Sequence, residues 1–415
     1  MFYIICKKAR KERRDAENKK KDPHFTIHSS VADLKEEGII LSTASHPMVS
    51  LSYFESLERS EPLRMKFYYC VAWKNGNPIA LYPLQLYTIN LKTLDDFLDL
   101  NAFEPIKVLN GHASFLQKLL FTFKSELHVL VAGNAFITGP LHTISLNDDN
   151  LNYAQKLLPE VLDFAEIELS DFYKIHGIVV KDFLSGSDSN STFNSSYNKI
   201  TLEPCMEMEL HESWKTFEDY KEALSSKYRV RINKAQEKFG TLNSKILSKS
   251  DVSNYSEDLF KLYEEMHNKA TIRFSMLSEI YFKELINNLS DEVLIRGFFD
   301  KKKMVAFTVS LHSSNHFEAH IAGMDYSYNR KYSLYLNLLT FYLSDAIQLG
   351  CQKISFGRTA TAIKSSIGAI PKDAICYLKV NKPLSFEHLK PYINTRKSSE
   401  DLIRSPFKTE LTLDS

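Results

Sequence analysis

Two periods organise the apolar positions. Met65 to Trp73 and Pro78 to Asn90 read as strands, joined by Lys74-Asn75-Gly76-Asn77, whose Asn-Gly pair suits a two-residue hairpin. Helical spacing places Leu51, Phe54 and Leu57 on one stripe of 47–60, and Tyr153, Leu157, Val161 and Phe164 on one stripe of 150–169. Apolar runs at Leu130 to Gly139, broken by Gly133 and Asn134, and at Lys174 to Phe183 add two strands. These elements predict a first lobe over 45–183. The Ser-rich stretch 184–198 cannot build a core and reads as a linker or mobile loop.

A second lobe is expected over 199–381. It starts with a strand at 199–210 and a long helix at 213–239, followed by a strand at 241–247 and helices at 251–268 and 278–289. Strands at 292–299 and 304–313 flank the turn 300–303, and another strand spans 315–323. A helix at 331–349, with Gly350 as its C′ residue, leads to strands at 352–356 and 375–380, the last closing the sheet. Residues 382–415 form a C-terminal extension. The lobes echo each other: Trp73-Lys-Asn-Gly-Asn-Pro-Ile-Ala and Phe299-Asp-Lys-Lys-Lys-Met-Val-Ala are each a hairpin turn entering a strand, which predicts an internal duplication.

Length and charge narrow the classes. A chain of 415 residues accommodates two or three domains, and 52 basic against 51 acidic residues argue against a dedicated DNA binder. Five scattered cysteines without a Cys-x-x-Cys pair read as reduced thiols in a cytoplasmic protein. No apolar run reaches the roughly 18 residues of a membrane span. The lead-in, 1–44, contains a basic run at 7–21 that reads as a solvated tail, or, with Phe2 to Ile5, as a weak contact of residues 1–22 with an anionic membrane face or RNA.

Candidate chemistry clusters late in the chain. His316, Glu318 and His320 are spaced by two and share a strand face. Such a face is the polar wall of a wet cleft, supplies a general base through Glu318 or His320, or binds a metal; nothing else in the sequence marks a metal enzyme. Arg330, Lys331, Arg358 and Lys364 flank two helix starts, where backbone N–H groups and cations suit phosphate or carboxylate. Lys227, Arg231 and Lys234 share one helical face and Arg229 points elsewhere; the face is either solvated or a site for a phosphate-bearing partner. Asp325, Asn329, Tyr332 and Tyr335 surround the central helix start, with Asn329 a candidate N-cap.

The motifs Ser226-Lys227-Tyr228-Arg229-x-Arg231-Ile232, Phe298-Phe299-Asp300-x-x-x-Met304-Val305-Ala306-Phe307, Ala322-Gly323-Met324-Asp325, Asn329-x-x-Tyr332-x-x-Tyr335 and Phe356-Gly357-Arg358-Thr359 before Lys364-Ser365-x-x-Gly368 occur in an order that resembles the GNAT acyltransferase superfamily. Within it the chain resembles the tandem-lobe, Fem-like, peptidoglycan-biosynthesis-like group. The resemblance covers 199–381 well and 45–183 weakly. It implies an α+β fold of two GNAT-like lobes, each a mixed, mostly antiparallel sheet flanked by helices. It also implies transfer of an acyl or aminoacyl group to an amine of a metabolite, lipid or cell-wall precursor. No tightly bound cofactor is implied; acyl-CoA, acyl carrier protein or aminoacyl-tRNA would serve as donor. The run that many coenzyme A binders fill with glycines is here Tyr326 to Ser333, without glycine, which leaves the donor open. By resemblance, Glu318 and His320 are the catalytic candidates. Gly323, Asn329, Arg330, Arg358 and Lys364 would hold the donor, and Lys227, Arg231, Asp325, Tyr332 and Tyr335 the substrate. A catalytically silent binding or scaffold protein is the alternative.

Overall fold

The computed structural model describes residues 14, 16–18, 21–41, 46–90, 126–146, 151–184, 192–269, 275–289, 291–382, 387 and 403–408. The proposed tail contact through 1–22 and the middle of the Ser-rich stretch lie largely outside these residues.

The first part of the chain runs β1 (His24–His28), α1 (Val31–Glu36), α2 (Leu51–Arg59), β2 (Met65–Lys74), β3 (Asn77–Asn90), β4 (Glu126–Ala132), β5 (Ile144–Ser145), α3 (Leu151–Leu169), β6 (Ile175–Leu184) and β7 (Tyr197–Thr201). Asn75 and Gly76, with φ of 51° and 76°, make the tight β2–β3 turn that the Asn-Gly pair favours. Next come β8 (Cys205–Glu209), α4 (Phe217–Ala223), α5 (Ser226–Phe239), β9 (Asn243–Ile246), α6 (Lys249–Asn254), α7 (Ser256–His267) and α8 (Ile280–Asn288). The remainder is β10 (Val293–Asp300), β11 (Lys303–His312), β12 (His316–Met324), α9 (Tyr326–Tyr332), α10 (Leu334–Gln348), β13 (Lys353–Ser355), α11 (Thr361–Ser365), β14 (Ile370–Lys372) and β15 (Ala374–Val380).

Two sheets result. One has the order β1-β2-β3-β4-β6-β15-β7, with β5 on β3; the other has the order β14-β8-β13-β12-β11-β10-β9. Among the described residues most pairs are antiparallel, and each sheet contains one parallel pair with a helical crossover: β4–β6 across α3, and β12–β13 across α9 and α10. The duplication is visible at the level of register. The β2–β3 ladder shifts between Ala72 and Trp73, and the β10–β11 ladder between Phe298 and Phe299, at matching places beside their hairpins.

The compact units are not contiguous in sequence. One consists of 1–41, 64–202 and 375–395; the other of 42–63, 203–374 and 396–415. This corrects several expectations. The strand expected at 199–210 is two strands in two different sheets, β7 pairing with β15 and β8 with β13 and β14. Pro204, which has no N–H to give a ladder, lies between them. Strand β15 does not close the second sheet but joins the first, through Ile375–Thr201 to Lys379–Tyr197. Helix α2 belongs to the second unit, where the Ser56 hydroxyl donates to the Glu284 carbonyl at 3.2 Å and accepts from Asn288 Nδ2 at 3.1 Å. The helix expected at 213–239 breaks at the extended residues Leu224 and Ser225, where Leu224 bridges to Phe407. The strand expected to reach Gly139 stops at Ala132, because Gly133 turns the chain at φ 110°.

In the second unit one sheet face carries Met206, Met208, Phe317, Ile354 and Phe356 into a core with Tyr220, Ile232, Ala235, Leu339 and Leu343 from α4, α5 and α10. Alternation sends Glu318 to the opposite face.

Candidate active site

Strand β12 is where this sheet opens. It pairs with β11 from Phe317–His312 to Met324–Ala306, but with β13 only at His316–Lys353, Phe317–Ile354 and Glu318–Ser355. β13 ends at that last pair, while β12 runs on to Met324. Glu318 therefore sits at the end of the β12–β13 pairing, the apex from which β12 continues alone of the two.

Its carboxylate is buried, and burial pushes its pKa up. His316 Nε2 lies 3.3 Å from Oε2, and the Ser355 hydroxyl also bonds the carboxylate. His46 Nε2 approaches the same oxygen at 4.0 Å. A desolvated carboxyl beside imidazoles is suited to take a proton from an amine. His46 stands 270 positions from His316 and no local spacing marks it.

His320 is not part of this cluster in the way its spacing suggests. The β11–β12 ladder jumps from Val309–Ile321 to Ser310–Ala319, so His320 is the extra residue of a bulge. Its Nε2 pairs with the Tyr281 hydroxyl at 2.6 Å and its ring stands edge-on to Tyr53. Burial drives its pKa down to about 3, so it is neutral at pH 7. The bulge breaks the period of two on which the three-residue face rested.

The same unit holds a cavity of about 560 Å³ lined by Lys227, Arg231, Lys234 and Lys238 of α5, together with Asn329, Ser333, Tyr335, Leu336 and Ile363. The four cations recur at intervals of 4, 3 and 4 residues, which aligns them on one helical face. Among the described residues no acidic side chain lines the cavity. Ser333 takes a left-handed conformation, φ 49° and ψ 41°, between α9 and α10, and its side chain caps nothing. The first turn of the 15-residue α10 thus contributes residues to the cavity wall, and its partial positive charge adds to that of the cations.

The other sequence candidates divide between the cavity and the scaffold. Asn329 is inside α9 rather than its N-cap, yet its Oδ1 accepts the Tyr335 N–H at 3.0 Å and so ties α9 to the start of α10. Tyr335 lines the cavity, its hydroxyl pushed up to about 12 by burial. Asp325 is the N-cap of α9, accepting from Ser327 N–H at 3.0 Å and pairing with Lys303 at 2.9 Å. Tyr332 is buried and stacks on Tyr328. Arg330 is exposed and is not among the cavity-lining residues.

Gly323 is a packing position: a Cβ there would lie 2.1 Å from the Phe307 ring and 2.9 Å from the Leu262 carbonyl carbon. Arg358 Nε donates to the Glu203 carbonyl at 2.9 Å. Lys364 is buried, and its ammonium donates to the carbonyls of Phe356 and Arg358, both at 2.6 Å. It holds the turn after β13 and does not line the cavity. Sequence reasoning could not tell a carbonyl clamp from an exposed anion receptor, and Lys364 lies in the last turn of α11. Lys238, Ser333 and Ile363 were not singled out; the heptad-like continuation of Lys227, Arg231 and Lys234 could have pointed to Lys238.

His46, His316 and Glu318 are the group among the described residues whose donor atoms cluster closely enough for a metal, within 4.8 Å of one another. No helix among the described residues is long and apolar enough to cross a membrane.

Residues 226–365 match the family profile described as acetyltransferase (GNAT) domain. No curated protein matches the sequence. Similar solved structures include FemX, 10% identical over 89% of this chain and 99% of that one, with a TM-score of 0.49. A tandem GNAT protein from the clavulanic acid biosynthesis pathway is 8% identical over 88% of this chain and 100% of its own, with a TM-score of 0.49. The C-terminal domain of a putative lysylphosphatidylglycerol synthetase from Agrobacterium fabrum is 8% identical over 61% of this chain and 78% of its own, with a TM-score of 0.41. The stretch 226–365 is thus similar to a GNAT-type acetyltransferase domain, and it lies inside a unit whose strand order the other unit repeats.

Proposed function

We propose that the second unit is an N-acyltransferase that accepts an acyl or aminoacyl donor bearing phosphate groups. The observation that carries this is the cavity over the start of α10, lined by Lys227, Arg231, Lys234 and Lys238 without an acid among them. Acyl-CoA, the phosphopantetheine of acyl carrier protein and aminoacyl-tRNA all present phosphate, so the cavity's charge suits each. In the reaction, the acceptor amine's lone pair attacks the donor's acyl carbon. The bond from that carbon to the donor's sulfur or oxygen breaks, and the donor leaves with the electron pair. The proton lost by nitrogen passes to Glu318. The acceptor we propose is an amine of a metabolite, lipid or cell-wall precursor.

Thermal-shift titration with acetyl-CoA, longer acyl-CoAs, acyl carrier protein and aminoacyl-tRNA, followed by transfer assays with the binding class, tests this. A donor at 100 times its Kd adds about 2.7 kcal/mol of stability. Stabilisation by one class, weakened by salt, with acyl transfer to an amine is the expected result. No stabilisation by any donor overturns the proposal, and binding without transfer points to a catalytically silent binding protein.

A further inference from the structure

The start of α9, directly after β12, is filled from within the chain. Asp325 Oδ1 accepts the Ser327 N–H at 3.0 Å and the Ser327 hydroxyl at 2.6 Å, and Oδ2 accepts from Lys303 at 2.9 Å. The Tyr328 N–H goes to the Asp325 carbonyl at 3.1 Å. A carboxylate therefore stands where the pyrophosphate of a free coenzyme A ester would meet that helix, and like charges repel there.

The outer face of α5 is the opposite case. At 100° and 1.5 Å per residue, Lys227, Arg231, Lys234 and Lys238 fall within about 60° of arc and extend along about 16 Å. The three lysines are exposed and Arg231 is half-buried. Among the described residues none of the four is ion-paired with an acid. Val230, 48% exposed, flanks the row, and Ala235, Leu336 and Ile363 add apolar lining to the adjoining cavity. A pyrophosphate is compact and engages one or two such cations; four in line call for an equally long row of anions. An RNA backbone is one such row. This chain, however, balances 52 basic against 51 acidic residues, so the field that steers a long polyanion is confined to one helix face. An exposed valine among the cations has no counterpart on a phosphate backbone either. An acidic helix supplies both features: carboxylates at intervals of 4, 3 and 4 match the row one for one, with an apolar residue against Val230.

We propose that the outer face of α5 is the docking surface for an acidic carrier protein, which brings the acyl group on a phosphopantetheine arm. The carrier's helix lies along the cation row, and the arm's single phosphate enters the cavity beside it. That the partner carries an acyl group rests on the acyl-transfer reading; that it is an acidic helix rests on the face itself.

The test is a binding titration of the full chain with three probes: an acetylated holo acyl carrier protein of the fatty-acid type, acetyl-CoA, and an aminoacyl-tRNA. The carrier is expected to bind at least tenfold more tightly than acetyl-CoA, with an affinity that falls about tenfold or more between low and high salt. The carrier without its arm should keep most of that affinity, because the helix face makes the contact. K234E with K238E should weaken carrier binding about tenfold or more, with a melting temperature near wild type. A carrier with one acid of its docking helix changed to lysine should recover part of the loss against K234E, which a merely misfolded variant would not allow. Acetyl-CoA or aminoacyl-tRNA binding as tightly as the carrier, no carrier binding, or carrier binding indifferent to K234E with K238E overturns the inference. If the carrier binds on α5 and no amine is acylated, the acyl-transfer reading fails and the docking surface stands. If acetyl-CoA supports transfer and the carrier does not bind, the docking surface fails and the acyl-transfer reading stands.

Discussion

The two parallel strand pairs occupy the same place in their sheets and differ in one respect. In the first unit β4 and β6 stay paired from His128–Ile175 to Ala132–Val180, where β4 ends. The following loop is laced to the end of β6: Lys181 donates to the carbonyls of Asn134 and Ile137, at 2.6 and 2.9 Å, and Asp182 accepts the Gly139 N–H at 3.0 Å. In the second unit β13 ends at its pair with Glu318, and β12 continues past it to Met324. One topology therefore gives a closed pair and an open one. The basic face of α5 and the buried Glu318 both belong to the unit with the open pair. The split, rather than the strand order, distinguishes the unit with candidate chemistry from its repeat.

The comparison breaks most readily at the apex. Glu318→Gln should lower acyl transfer by about 10²- to 10⁴-fold, the range for loss of a general base, while donor binding and the melting temperature stay near wild type. Full turnover would remove the base from the apex and with it the meaning of the splay. The second test separates the units by charge. Lys227→Glu with Arg231→Glu should weaken donor binding by roughly 10- to 100-fold and flatten its salt dependence in a titration, because two attractive charges become repulsive. Lys156→Glu, on the exposed side of α3 in the first unit, should leave the same affinity unchanged.

Packing behind the open strand gives a smaller effect. Gly323→Ala should destabilise the second unit by about 1–3 kcal/mol in denaturant unfolding, since the added methyl must displace Phe307 or the α7 backbone. An unchanged midpoint would show that Phe307 yields freely and would return Gly323 to the list of ligand-facing positions. The last test is pH. Burial lowers Lys364 to about 8 in the folded chain, below its ordinary 10.5. Between these values the unfolded chain binds more protons, so stability should rise as pH climbs from about 8 toward 10. Buried tyrosines such as Tyr220 and Tyr342, whose hydroxyls burial holds up, act in the opposite direction above pH 10. Lys364→Met should abolish the rise between pH 8 and 10, and a rise that persists in the variant would assign it to other groups.

Much of the fold was legible because it rests on local periods. The β2–β3 and β10–β11 hairpins, strand β12 and helices α3 and α10 follow from alternation, helical stripes and turn residues. The cationic row on α5 was legible for the same reason, since a helix fixes which residues share a face. Boundaries set by partners were not. Leu224 and Ser225 interrupt a helical pattern where Phe407 meets the chain, and Ala132 ends a strand where Gly133 turns. The bulge at His320 is invisible in its own sequence because it exists only as a mismatch of register with β11.

By itself the sequence determined two sheets with their hairpins and crossover helices, a duplicated plan, and a helix with its cations in line. Each of these depends on interactions within a few residues or on a repeat that the chain carries twice. Only the tertiary structure decided which strand joins which sheet, since β7 and β8 are neighbours in the chain and part company at Pro204. It also decided that Lys364 is a buried clamp, that His320 turns to Tyr281, and that His46 packs on His316. Those outcomes depend on burial and on contacts between residues tens to hundreds of positions apart, which no local pattern encodes.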